Sequence, residues 1–182
     1  EDLLKPEFKG EIIAPDPRKS GTGLTFISSV LQSMGEEKGW AYLKQLKGQI
    51  AQFTPSGFAP AQKTGAGEYL IALNFISDQM LVSQKGQKIH STIYDNAGWT
   101  LCPVSIIKNS ADKEVAQAFV DYCLTKEAGD ILVRTTNGVA CNPDVAPPEG
   151  QKPLSELPLY KAYDMEKAGA DKQMNCDKFF EE

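Results

Sequence analysis

The sequence predicts an α/β fold, and three observations carry that reading. Short apolar runs alternate with stretches of helical spacing between residues 10 and 94, in the order strand, helix, helix, strand, helix, strand, helix, strand. Two Ser-Gly steps, Ser20-Gly21 and Ser56-Gly57, each follow a strand-like run and open a helical one. The 182 residues are 41% apolar and 24% charged, the balance of a chain that buries a core.

Taken in order, "GEIIAP" (10–15) reads as a buried strand stopped by Pro15 and Pro17. Leu24, Ile27, Ser28, Leu31 and Met34 then share one helical face, with Ser20 or Thr22 as N-cap and Gly35 as C-cap. A second helix, 36–47, carries Trp40, Tyr42, Leu43 and Leu46. "QIAQFT" (49–54) is a strand, and a short helix is entered at Ser56. "EYLIALNF" (68–75) is the most strand-like run in the chain, followed by a helix over 77–85 and a strand, "KIHSTIY", over 88–94.

Residues 95–98, "DNAG", break the alternation. "WTLCPVSII" (99–107) reads as a strand. Asn109-Ser110 then caps an amphipathic helix over 111–124, and "TKEAGDILVRTT" continues as a second helical segment. Residues 142–158 are rich in proline and polar side chains and read as a loop, and the chain closes on one or two helices interrupted near Gly169. Trp40, Trp99, Phe119 and Tyr122 read as core or cover residues.

Composition narrows the function. A net charge of −5 with no Lys/Arg-dense stripe argues against nucleic acid as the main partner. No apolar run approaches the ~20 residues that span a bilayer. The chain opens on Glu1-Asp2 rather than on a basic and then apolar leader, which leaves open a cytoplasmic chain, a mature exported one, or a piece of a longer one. Cys102, Cys123, Cys141 and Cys176 form no CxxC, and no histidine lies near them, so zinc-ligand spacing is missing and no metal or cofactor is expected. Free thiols and at least one bridge, with Cys102 and Cys141 meeting across neighbouring strands, are both open. His90, the one histidine, reads as a strand residue, and without a second base no Ser/His/Asp set can be assembled.

The chemistry concentrates in "IIAPDPRKSGTGLTF" (12–26). The first amides of a helix lack internal acceptors and carry partial positive charge. Glycine lets a ligand approach the backbone, and Ser and Thr add hydroxyls. Ser20, Gly21, Thr22 and Gly23 therefore suit an anion, although no GxxxxGK[ST] is present. Arg18 and Lys19 stand just upstream as possible added positive charge. Ser56 and Gly57 form a second such corner, and Asn74 and Asp78 follow strand 68–75 at the same sheet edge. Each of these residues also has a simpler reading as a helix cap or turn former, Asp78 as a first-turn carboxylate.

Three stretches together resemble a known family. "DLLKPEFKGEIIAPDPRKSGTGLTFISSVLQSMGEEKGWAYLKQL" (2–46), "SGFAPAQKTGAGEYLIALNF" (56–75) and "PVSIIKNSADKEVAQAFVDYCLTKEAGDIL" (103–132) are similar to periplasmic solute-binding proteins of ABC transporters, in the group of ferric-iron and phosphonate binders. The likeness runs through about residue 165. It implies a lobe with a mixed sheet flanked by helices over 1–97, a return segment over 98–145 belonging to the other lobe of full-length members, and a C-terminal loop and helices over 146–182. Members have two lobes with the ligand between them and are nearly twice this long, so the resemblance implies a second-lobe fragment whose unpaired surface could exchange segments with a second copy as a domain-swapped homodimer. It implies that Ser20, Gly21 and Thr22, with Ser56 and Gly57 opposite, hold the anionic group of a phosphonate, a phosphate ester or a similar solute. Ferric relatives use adjacent tyrosines, whereas Tyr42, Tyr69, Tyr94, Tyr122, Tyr160 and Tyr163 stand apart here.

The leading expectation is thus a non-catalytic, periplasmic or membrane-anchored receptor that delivers a small anion to an ABC permease. A ferric-iron or iron-complex receptor and an extracytoplasmic sensory domain are the alternatives. An enzyme is disfavoured by the missing acid/base set.

Overall fold

The structure, a computed structural model, describes residues 2–181. Glu1 and Glu182, the outer bounds of the expected segments, lie outside them. The described residues form two compact units, one running to Thr100 and resuming at Pro158, the other Leu101–Leu157.

The first unit is built on a three-stranded parallel sheet in the order β2-β1-β3, with β1 Ile12–Pro15, β2 Ile50–Thr54 and β3 Ile71–Ala72. A parallel strand between two others is covered on both faces, which is why β1 reads as an unbroken apolar run and is buried throughout. Ile12 sits opposite Ile50 on one side and Ile71 on the other. Among the described residues the sheet is all parallel, where the resemblance implies a mixed one.

The most strand-like run keeps only two strand residues. Ile71 N donates to Glu11 O (3.1 Å) and Leu73 N to Ile13 O (3.0 Å). Parallel rungs step by two along β1, so the next would need an N–H from residue 15, which is proline. Residues 88–94 and 99–107 form no strand either, because β3 gains no further neighbour and Pro103 interrupts the second run.

Helices α1 Gly21–Met34 and α2 Glu36–Lys47 follow β1, joined at Gly35, whose φ of +81° lets one helix stop and the next begin. Ile27, Val30 and Leu31 of α1 and Leu43 of α2 form the core with Cys176 and Phe179. The last two belong to α8 Lys172–Phe180, which follows α7 Met165–Ala170; the break falls at Asp171, two residues past Gly169. Met34, expected on the buried face, is exposed at the last position of α1. α3 Ala59–Gly65 packs on β1 and on α4 Ile76–Gln84. The residue before α3 is Phe58, so Ser56 does not cap it; its Oγ instead accepts from Phe58 N within the preceding turn.

The second unit holds α5 Lys113–Cys123 and α6 Lys126–Thr136. Asp112, not Asn109-Ser110, caps α5: its Oδ1 accepts from Val115 N at 3.0 Å, because the helix starts at Lys113 rather than 111 and leaves Asn109-Ser110 outside its first turn. No residue of α5 is buried, and Val115, Phe119 and Leu124 are about 60% exposed. Phe119 and Tyr122 are therefore not core residues, whereas Trp40 packs partly on the core and Trp99 on Tyr163. All four cysteines are free thiols; Cys102 and Cys141 lie on irregular exposed segments, with no strands to bring them together. His90 is exposed on an irregular segment as well. Among the described residues, no helix is long and apolar enough to cross a membrane.

Candidate functional site

The site begins where β1 stops. Asp16 N donates to Thr54 O at 2.8 Å, which hooks the loop onto the end of β2. Asp16 O accepts from Lys19 N and Ser20 N (3.0 and 2.8 Å), and this tight turn aims the chain into α1. The buried Asp16 carboxylate takes Arg18 N at 2.9 Å, Nε at 3.0 Å and Nη2 at 2.7 Å. Hydrogen bonding from Arg18 holds its carboxyl below the usual range, against the opposing effect of burial. The guanidinium also stacks 3.8 Å from the centre of the Phe180 ring. Arg18 is thus committed to Asp16 and to the C-terminal helix and is not the free positive charge the sequence suggests, whereas Lys19 is exposed.

Ser20 occupies the N-cap position of α1, extended at φ −125°, but its hydroxyl makes no capping bond. The first intrahelical-type bond is Leu24 N to Ser20 O at 3.1 Å. Among the described residues, the amides of Gly21, Thr22 and Gly23 have no acceptor. Gly23 is required by packing: a Cβ there would stand 2.8 Å from Pro17 N and nearer still to Pro15 O. Gly21 has nothing within 4 Å of the same position and faces open space.

The second corner comes directly against the first. A Cβ on Gly57 would stand 3.2 Å from Ser20 Oγ, 3.0 Å from Thr22 Cβ and closer still to Thr22 Oγ1. The loop is set by Thr54 Oγ1 donating to Ser56 O at 2.8 Å, and Ser56 itself is exposed. Asn74 Nδ2 donates to Gly57 O at 3.3 Å, and Asn74 Oδ1 accepts from Gln79 Nε2 at 3.0 Å. Asp78, in the first turn of α4, is half-buried; burial raises its carboxyl pKa, and the Asn74 amide partly offsets this.

An open depression of ≈ 340 Å³ lies at the start of α1, lined by Gly21, Thr22, Thr25, Phe75, Tyr163 and Met165 among others. Of the eight residues predicted from sequence, Gly21 and Thr22 line it. Ser20 and Thr22 meet Gly57, Gly23 packs on residues 15–17 and Asn74 reaches the corner through Gly57, whereas Ser56 and Asp78 do not line the depression. Thr25 was findable, one helical turn past Gly21. Phe75 and Tyr163 carry no local signal.

Tyr163 arrives on a strap. Ala97 N donates to Pro158 O (3.1 Å) and Tyr160 N to Ala97 O (2.9 Å), while Gln32 of α1 bonds both backbone groups of Asp164 (2.9 and 2.7 Å). Trp99 meets Tyr163 edge-on at 6.0 Å. The Tyr163 hydroxyl faces Thr25 and Ser28, without a well-formed bond to the Ser28 oxygen, and burial pushes its pKa up. The depression therefore offers backbone amides, hydroxyls and an apolar wall. Such a set can hold an anionic head and a small polar body.

With this geometry in view, the chain belongs to the bacterial extracellular solute-binding protein family, whose profile matches residues 1–164. It is 31% identical, with a TM-score of 0.87, to the periplasmic binding protein AfuA from Actinobacillus pleuropneumoniae, solved with exogenous fructose-6-phosphate bound; the match covers 98% of this chain and 57% of that one. An uncharacterized protein of Haemophilus influenzae is 32% identical over 94% of this chain and 50% of its own. The phosphoglycerate transport regulatory protein PgtC of Salmonella typhimurium is 25% identical over 76% of this chain and 34% of its own. Iron-bound HitA from Pseudomonas aeruginosa shares the fold at 16% identity, with a TM-score of 0.77 over 99% of this chain and 60% of that one. The chain spans about half the length of the Haemophilus influenzae relative.

Proposed function

We propose that this chain supplies the solute-contacting surface of a periplasmic, non-catalytic receptor for an ABC importer, and that its solute is a small phosphorylated compound. One observation carries the reading: three consecutive helix-start amides, those of Gly21, Thr22 and Gly23, lack acceptors, and Gly21 and Thr22 border the depression. A phosphate monoester matches this set, with three acceptor oxygens and a charge favoured at a helix N-terminus. The fructose-6-phosphate in AfuA and the phosphoglycerate in the PgtC name support the same chemical class. The hydroxyls of Thr25 and Tyr163 suit the polyol part of such a solute. The partners in this reading are the solute and a membrane permease.

The test is an NMR titration of the isotope-labelled chain with inorganic phosphate and then fructose 6-phosphate. A few charge-assisted contacts in an open site give a dissociation constant of about 1 mM. Saturable shifts at the Gly21, Thr22 and Gly23 amides are expected, larger for the ester. Silence at these amides in a folded chain overturns the reading. A response to ferric citrate alone would transfer the site to iron-complex binding.

A further inference from the structure

We infer that Asn74 is a positioning residue: it does not touch the solute but pins Gly57 against the start of α1 and so sets the width of the anion corner. The inference deepens the proposed function and rests on it.

An Asn side chain has two N–H donors and a carbonyl oxygen with two lone pairs. Asn74 Nδ2 donates to Gly57 O, its amide also favours the ionised form of the neighbouring Asp78 carboxyl, and Oδ1 accepts from Gln79, a buried residue of α4. The lone pair left on Oδ1 would repel an anion rather than hold it. The orientation of the amide follows from its partners, because Gly57 O can only accept. Asn74 also does not line the depression, although its neighbour Phe75 does. The other end of the link is equally constrained. Gly57 lies so close to Thr22 and Ser20 that no Cβ fits between them. Asn74 therefore ties α4 to the β2–α3 loop, and the loop to the first turn of α1, over three direct contacts. Releasing Gly57 would let the loop withdraw from Thr22 and would leave the helix-start amides facing water instead of a formed rim.

The experiment compares the full 182-residue chain with Asn74→Ala and with Asn74→Asp, which keeps the shape but removes both donors. Three quantities are read: exchange protection of the Asn74 side-chain amide protons in the wild type, the order parameter of the Gly57 amide without ligand, and phosphate affinity at Gly21 and Thr22. The expected pattern is slow exchange in the wild type, a mobile Gly57 in both variants, and phosphate binding weaker by about fivefold, the usual worth of one hydrogen bond. The fold should be retained by far-UV circular dichroism. An unchanged Gly57 order parameter overturns the assignment, as does a mobile Gly57 with unaltered phosphate affinity. Should neither variant fold, rapid exchange of the wild-type Asn74 amide protons overturns it, and protection beyond that of exposed Asn side chains supports it. Phosphate-silent amides in the wild type sink the anion reading instead, and Gly57 mobility alone then decides whether Asn74 holds the loop.

Discussion

Replacing Gly57 with alanine tests the meeting of the two corners directly. The added methyl would lie 3.0 Å from Thr22 Cβ and 3.2 Å from Ser20 Oγ, and nearer than either to Thr22 Oγ1. The two hydroxyls can turn about χ1, but Thr22 Cβ is fixed to its backbone, so part of the strain falls on the main chain. Overpacking of this kind costs about 1–3 kcal/mol, which lowers the midpoint by about 2–4 °C per kcal/mol in a chain of this size. Thr22→Ala removes Oγ1, the tightest contact, so the cost of Gly57→Ala should fall by about half in that background, a coupling of about 1 kcal/mol. The assay is urea denaturation of the four chains followed by tryptophan fluorescence. Both tryptophans, Trp40 and Trp99, lie in the unit that carries the site, so the signal reports that unit alone. Equal costs in the two backgrounds would refute the contact between Gly57 and Thr22.

Three further outcomes are expected. Gly23→Ala should destabilise the first unit by about 3 kcal/mol, because its methyl meets only backbone of residues 15–17, whereas Gly21→Ala should leave stability intact and weaken phosphate binding; thermal melts and the titration check both. Asp16, whose folded pKa is depressed by Arg18, adds stability that is full above its unfolded pKa of about 3.9 and is lost as pH falls through the lower folded value. Asp16→Asn should therefore lose less stability than wild type across that acid range, and parallel acid limbs in urea titrations would contradict this. The exposed apolar face of α5 predicts concentration-dependent self-association by sedimentation, reduced by Phe119→Ser; a wild-type monomer at all concentrations would count against it.

Much of the first unit was legible in the sequence because its determinants are local. The apolar run of β1, its proline stop, the Ser-Gly-Thr-Gly entry to α1 and the Gly35 break each act within a few residues, and each appears where the pattern puts it. The helices over 36–47 and 126–136 follow from periodicity and caps for the same reason. At the candidate site, the acceptor-free amides of Gly21 and Thr22 could be named in advance because a helix start lacks acceptors whatever surrounds it.

The rest was decided by tertiary structure, because it depends on partners distant in sequence. A strand exists only where a neighbour pairs with it, so residues 68–75 kept two strand residues and residues 88–94 none, despite their β-branched and aromatic content. Arg18 looked like free positive charge until Asp16 and Phe180 claimed it. Asn74 stands at the end of the 68–75 run in sequence, but its pairing with Gly57 O and Gln79 is set by the fold. Tyr163 reached the depression only through a strap that crosses α1 some 140 residues after Thr22. By itself the sequence determined where backbone amides would lack acceptors. Three-dimensional packing decided which charged and polar side chains stayed free, because hydrogen-bond capacity is finite and proximity allots it.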